Sequence, residues 1–255
     1  MSTTTSDPVA RRDALPWLLV AVALTAIAAL VAWRASPYAR YLSHAYQPPS
    51  LLGQGEATAI FLGGWTLMIA ATMLPATHGV LRAFATMTRR RGDRVQLLVL
   101  VAAGFVAVWV GVGYTFRALD IAVHAVVDAT AVLRDRPQLV GASALLLAGA
   151  FQFTELKRRC LTACRSPTSF LYVHWRGERP ARDALRIGTA YGASCVGCCW
   201  ALMLVMFGLG AGSVAWMLAI GAVLAAERSL PVRRDLTPLL GVALLLAGAW
   251  VAIHG

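Results

Sequence analysis

The sulfur chemistry of this chain is concentrated in one place. All five cysteines fall between Cys160 and Cys199. Three stand in the run Tyr191-Gly192-Ala193-Ser194-Cys195-Val196-Gly197-Cys198-Cys199-Trp200, and Cys160 and Cys164 precede it, four residues apart. On a helix, positions i and i+4 share a face, so Cys160 and Cys164 point the same way. Continuing the stripe of Cys195, Cys198 and Cys199 at helical spacing reaches Met203 and then Met206. One helix therefore offers thiols followed by thioethers. Soft sulfur donors select Cu(I), Zn(II) or iron–sulfur clusters over magnesium or calcium, and the thioethers shift the choice to Cu(I). Zn(II) is the second candidate. A bound cation would offset the cost of ionising thiols in a low dielectric.

A second sulfur-bearing stretch lies upstream, in Gly63-Gly64-Trp65-Thr66-Leu67-Met68-Ile69-Ala70-Ala71-Thr72-Met73-Leu74-Pro75, with His78 one turn beyond. Proline cannot donate a backbone hydrogen bond and frees a carbonyl in the preceding turn. Met68 and Met73 are placed to face a metal path there, with His78 at its cytoplasmic mouth. Each feature also has a plain packing reading. Cysteine behaves as a small hydrophobe, Gly188, Gly192 and Gly197 suit close helix contacts, and methionine fills cores.

The elements that must position these groups are legible from composition. Hydrophobic residues make up 58% of the 255, charged residues only 14%, and mean hydropathy is +0.66. A soluble domain carries about 25% charged residues, so too little polar surface exists here to face water. The expected fold is all-α, a polytopic transmembrane helical bundle of about seven spans. The spans fall near 16–33, 57–76, 95–116, 138–154, 184–207, 212–226 and 236–253, each close to bilayer thickness as helix. Residues 1–15 form a cytoplasmic tail and 16–255 a single helical membrane domain.

Basic residues orient the bundle. With the amino terminus cytoplasmic and the carboxyl terminus outside, only Arg34, Arg40, Arg117, Arg134 and Arg136 of the 23 basic residues fall on the outer side. The cytoplasmic loops take the rest, including Arg11 and Arg12, the 77–94 loop and the 155–183 loop. The fifth span then enters from the cytoplasm near Arg186, which sets Cys195 about 13 Å deep at 1.5 Å per residue. Cys160 and Cys164 sit near the same interface. Residues 118–136 are apolar except for Asp120, His124 and Asp128, spaced four apart, and are expected to lie as an amphipathic helix on the outer interface with a solvated polar stripe. Arg11 and Arg12 ahead of an apolar run resemble an export signal, but the run is long and lacks a clear cleavage site, which favours a retained anchor.

Several classes drop out. The net charge of +11 would suggest nucleic acid in a soluble chain, but here it is explained by topology and lipid phosphate. No Ser–His–Asp, paired-carboxylate or H-E-x-x-H arrangement stands in a usable context, and nothing resembles an ATP-binding loop. A disulfide framework does not suit so long and apolar a chain.

Three stretches together resemble the predicted metal-binding integral membrane proteins known as domain of unknown function 2182. They are Trp65 to Pro75; Phe151-Gln152-Phe153-Thr154-Glu155-Leu156-Lys157 leading to Cys160 and to Cys164-Arg165-Ser166-Pro167; and Gly188-Thr189-Ala190-Tyr191-Gly192 through Cys195 to Met203. The resemblance implies a membrane-embedded metal site without naming a reaction. Two departures stand out: Thr72 precedes Met73 where the family shows paired methionines, and Glu155 replaces a common proline.

The expected function is a multi-pass protein of a bacterial-type inner membrane that binds a soft metal ion for transport, delivery or sensing. Cys195, Cys198 and Cys199 are the ligands; Cys160 and Cys164 capture or release metal at the cytoplasmic face; Met203, Met206, Met68 and Met73 add weak thioether steps. The expected partners are the bilayer and a metal-carrying protein or another membrane subunit, with no nucleic acid. Two alternatives stay open. One is a thiol–disulfide relay through the C-x-x-C of Cys195 and Cys198, which lacks a cysteine on the outer side to receive electrons. The other is a structural membrane subunit whose cysteines pack.

Overall fold

A chain this apolar must satisfy its backbone N–H and C=O groups internally, and helices do so within each segment. The computed structural model describes residues 14–37, 51–208, 214–229 and 236–254, and every regular element among them is helical. In order these are α1 (Ala14–Arg34), α2 (Leu51–Thr72), a 3-10 turn (Pro75–Thr77), α3 (His78–Met87), α4 (Arg94–Ala129), α5 (Ala131–Asp135), α6 (Gln138–Phe151), α7 (Glu155–Arg165), α8 (Pro167–His174), α9 (Pro180–Gly208), α10 (Val214–Ser229) and α11 (Thr237–His254). The tail with Arg11 and Arg12, together with Arg40, Arg233 and Arg234, lies outside the described residues.

Helix α9 is the hub. It packs against α4, α6, α7, α8 and α10, while α11 lies on α6, α1 on α2, and α2 on α4. Large apolar side chains such as Trp17, Leu24, Val95, Tyr114, Leu246 and Trp250 face outward on the peripheral helices. Four helices are each long and apolar enough to cross a membrane: Leu15–Arg34, Arg94–Ala129, Pro180–Met206 and Thr237–His254. Two bent pairs raise the number to six if each is one span. The expected sixth span, 212–226, falls on α10, which has only 16 residues, about 24 Å of helix against a hydrocarbon core of about 30 Å.

Both bends have local causes. After Thr72 the chain reaches Pro75, which has no N–H to continue the helix. The chain tightens into the 3-10 turn, with Thr77 Oγ1 donating to Leu74 O at 2.7 Å, and α3 leaves at 46° to α2. The second bend is 68°, between α6 and α7. There Thr154 caps α7 by accepting from Lys157 N at 3.3 Å, and Glu155 places negative charge in the first turn, where the helix dipole favours it. This second bend turns the cysteine-bearing α7 inward against α9.

Residues 118–129 do not form a separate interfacial helix. They continue α4, which runs unbroken for 36 residues. Asp120 is buried, accepting from Arg117 Nη1 at 2.8 Å, and His124 Nδ1 lies 2.9 Å from the Asp120 carbonyl oxygen. The solvated stripe expected here is replaced by a charge pair, because a buried carboxylate needs a partner. Asp128 is exposed.

Two contacts set where the helices sit. Within lipid, association rests on van der Waals fit and small residues rather than on the hydrophobic effect. On α4 and α9, a Cβ added to Gly104 would lie 2.6 Å from Leu185 O, and one added to Gly188 would overlap the Val101 carbonyl. Only bare backbone permits that approach. On the other side of α4, the Trp65 ring lies over Gly113 while its Nε1 donates to Trp109 O at 2.8 Å, which docks α2. A third, polar contact ties α7, α10 and α11. Fully buried Lys157 donates to both Glu227 carboxylate oxygens at 2.9 Å, Thr237 Oγ1 donates to Glu227 Oε1 at 3.3 Å, and Arg165 Nε donates to Glu227 O at 2.9 Å.

These contacts predict mutant behaviour in detergent. Gly188→Leu should destabilise by about 1–3 kcal/mol or more by wedging α4 from α9, seen as a lower thermal unfolding midpoint. Gly111→Ala has open space around it and should leave that midpoint unchanged or slightly raised. Lys157→Met should cost about 3–5 kcal/mol by leaving Glu227 unpaired, and adding Glu227→Leu should recover most of the loss.

Candidate metal centre

The centre is built on α9, where helical geometry gathers Cys195, Cys198 and Cys199 on neighbouring turns. All three are buried. Cys198 Sγ donates to Cys195 O at 3.1 Å and Cys199 Sγ donates to the same carbonyl at 2.9 Å, which fixes both rotamers. The stripe Gly188, Gly192, Cys195, Cys199 runs along one side of α9. Its glycine half closes on α4, so the packing reading holds for Gly188 and Gly192. At the level of Cys195 the neighbour becomes α10.

Helix α7 brings the fourth thiol. Its buried residues are Lys157, Leu161 and Cys164, at i, i+4 and i+7. Cys164 Sγ lies 4.0 Å from Cys198 Sγ. Two sulfurs each about 2.3 Å from one ion, at an angle near 120°, are separated by about this distance. The two cysteine groups thus do converge, through Cys164. Cys160 is half-buried and its Sγ packs over Gly197, where an added Cβ would overlap it. Cys160 thus packs against the edge of the core that holds the other four cysteines.

The cluster's central occupant was not foreseen. Arg228, near the end of α10, places Nη2 2.9 Å from Cys195 Sγ, 3.7 Å from both Cys198 Sγ and Cys199 Sγ, and 3.8 Å from Met73 Sδ. A single guanidinium nitrogen is therefore ringed by three thiols and a thioether. Among the described residues, no three His, Cys, Asp or Glu side chains already converge as they would on a bound ion. The donor set suits a soft cation, but its sulfurs surround a guanidinium nitrogen.

Of the remaining sequence candidates, Met73 joins the ring from the end of α2. Met68, Met203 and Met206 are buried in the same packed core as the thiols, outside the set of sulfurs that surround the Arg228 nitrogen. His78 begins α3, half-buried beyond the proline turn, and is not brought to the thiols. Thr72, where a second methionine was expected, donates to Met68 O at 2.8 Å and sets its methyl against Gly221 of α10. It packs helices and binds nothing. Sequence reasoning missed Arg228 and Lys157 because each was counted as topology at a span boundary, and it gave Glu227 no role. The available signal was the adjacent acid–base pair Glu227-Arg228 ending an apolar run.

Comparison with known proteins agrees with this chemistry. No curated protein and no solved structure matches the chain. A family model does: residues 62–251 match PpoB2, described as a copper chaperone, a stretch that contains every sulfur of the ring and Arg228. The match supports a metal-binding family, and the chain belongs to the PpoB2 copper-chaperone family.

Proposed function

We propose that this protein is a membrane-embedded copper chaperone that holds Cu(I) on the sulfur ring and hands it to an acceptor protein. The observation that carries the reading is the gathering of Cys195, Cys198, Cys199 and Met73 around one buried cation, with Cys164 Sγ 4.0 Å from Cys198 Sγ. Three segments of the chain meet there, α7, α9 and the end of α2. Thiolates supply affinity for a soft monovalent ion, and the neutral thioether adds a weaker bond that is readily exchanged. The surrounding apolar helices keep water out of the site.

The four to six bilayer-length helices support residence in a bacterial-type inner membrane, with the amino terminus cytoplasmic by the distribution of basic residues. In that orientation the ring lies toward the cytoplasmic half, and half-buried Cys160 stands beside it as the first thiol an incoming ion meets. Delivery fits the family better than sensing or transport, since no energy-coupling motif is present. Zn(II) would be held less well by a set containing a thioether. A thiol–disulfide relay could run through Cys164 and Cys198, whose sulfurs lie 4.0 Å apart, as well as through the C-x-x-C of Cys195 and Cys198.

The test is elemental analysis of full-length protein purified anaerobically in detergent after copper and zinc supplementation. The wild type should retain about one copper per chain, and Cys164→Ser or Cys198→Ser should lose about tenfold or more of the affinity. Cys160→Ser should retain copper while loading more slowly. Equal copper in wild-type and cysteine-free protein, zinc in place of copper, or no metal in either would overturn the reading.

A further inference from the structure

We propose that Arg228 is a displaceable latch: its guanidinium holds the metal-free sulfur ring in a cation's place and must withdraw for copper to bind. The inference rests on the copper reading of this site and goes beyond it by assigning the device that controls loading and release.

Three observations carry it. The first is position. Nη2 lies within 3.8 Å of four sulfurs drawn from α9 and the end of α2. An ion held by the same sulfurs, at bonds of about 2.3 Å, must occupy that same volume. Two like charges cannot share it.

The second is the contrast between the two buried cations. Lys157 has a carboxylate, Glu227, accepting from its ammonium through both oxygens. Arg228 has no carboxylate partner among the described residues, only sulfur acceptors, and its Nε is buried with no hydrogen-bond partner. Lys157 is therefore paired for permanence, while Arg228 is held by soft contacts that a soft metal can replace.

The third is mechanical. The backbone beside Arg228 is fixed through Glu227, whose carbonyl accepts from Arg165 and whose carboxylate binds Lys157 and Thr237. With α10 anchored one residue away, the motion that clears the ring is a side-chain rotation. Arg228 is half-buried as a residue, so it is not sealed from its surroundings on every side.

The exchange balances without redox chemistry. N–H···S contacts break and copper–sulfur bonds form; copper stays Cu(I), and any thiol proton lost on coordination passes to water. The consequence is a tunable affinity. If the withdrawn rotamer is populated to about 1% in the metal-free protein, the apparent affinity for copper falls about 100-fold below that of the open ring. The returning guanidinium then favours hand-over to the acceptor.

The experiment uses the full chain in detergent under reducing, anaerobic conditions, with Cu(I) as the probe. Phenylglyoxal modification of Arg228 is read by peptide mass spectrometry before and after loading, with exposed Arg82 as reference. Arg228 modification should rise about fivefold or more on loading, while Arg82 should not change. In parallel, Arg228→Met should bind Cu(I) and release it to a chelator about tenfold more slowly than wild type. If wild type binds copper but Arg228 labelling stays flat or falls, the latch is wrong and the copper site stands. The same holds if Arg228→Met releases copper as fast as wild type or loses it. If wild type binds no copper, both ideas fail. Should Arg228→Met not fold, the labelling of the native chain decides alone.

Discussion

A guanidinium head placed among apolar helices must be surrounded by acceptors or neutralised, and the architecture around Arg228 follows from that requirement. Desolvating a charge without partners is among the most expensive things a protein interior can do. Here the partners are sulfurs, which cannot be supplied by any one helix. Helix α9 contributes three because its cysteines fall on adjacent turns. The end of α2 contributes Met73 because Pro75 stops that helix beside the cluster. Helix α7 adds Cys164, behind Cys198, because the 68° bend after α6 turns it back against α9.

Close backbone contacts hold the scaffold around the ring. Gly104 and Gly188 bring α4 and α9 into backbone contact below the cysteines, and Trp65 over Gly113 holds α2 to α4. Thr72 lets α10 approach α2 at Gly221, where a longer side chain would hold it off. The loss of a second methionine at that position is therefore offset by closer approach of the helix that carries Arg228. The sulfur missing from α2 and the nitrogen arriving from α10 belong to one local solution.

How much of this was legible beforehand depends on whether a feature is local. The all-helical fold and most bilayer-length runs follow from apolar segments, and the clustering of Cys195, Cys198 and Cys199 follows from helical periodicity alone. The thioether stripe on α9 continues as buried core, with Met203 and Met206 four and seven residues beyond Cys199, about 6 and 10 Å along the axis. Met68 is likewise more than a turn from Met73. Arg228 and Lys157 were invisible because sequence assigns a basic residue at a span boundary to topology. Whether it turns inward depends on contacts with α9 and α10 that are distant in the chain. The polar stripe expected on an interfacial helix at 118–136 differs at Asp120, which Arg117, one turn earlier, neutralises within a continuous α4.

The choice of arginine over lysine at position 228 is itself informative. An ammonium is a compact, strongly hydrated point charge, and where the bundle uses one, at Lys157, it gives it a carboxylate held by both oxygens. A guanidinium is planar, weakly hydrated and carries several N–H groups, so it tolerates diffuse sulfur acceptors at 2.9 to 3.8 Å. The price of that tolerance is weak retention. A chaperone must bind its ion more firmly than the surrounding pool does and less firmly than its acceptor does. A competing cation built into the site lowers affinity without removing any ligand. It leaves the sulfur geometry free to match copper, while the strength of holding is set separately by how readily one side chain steps aside.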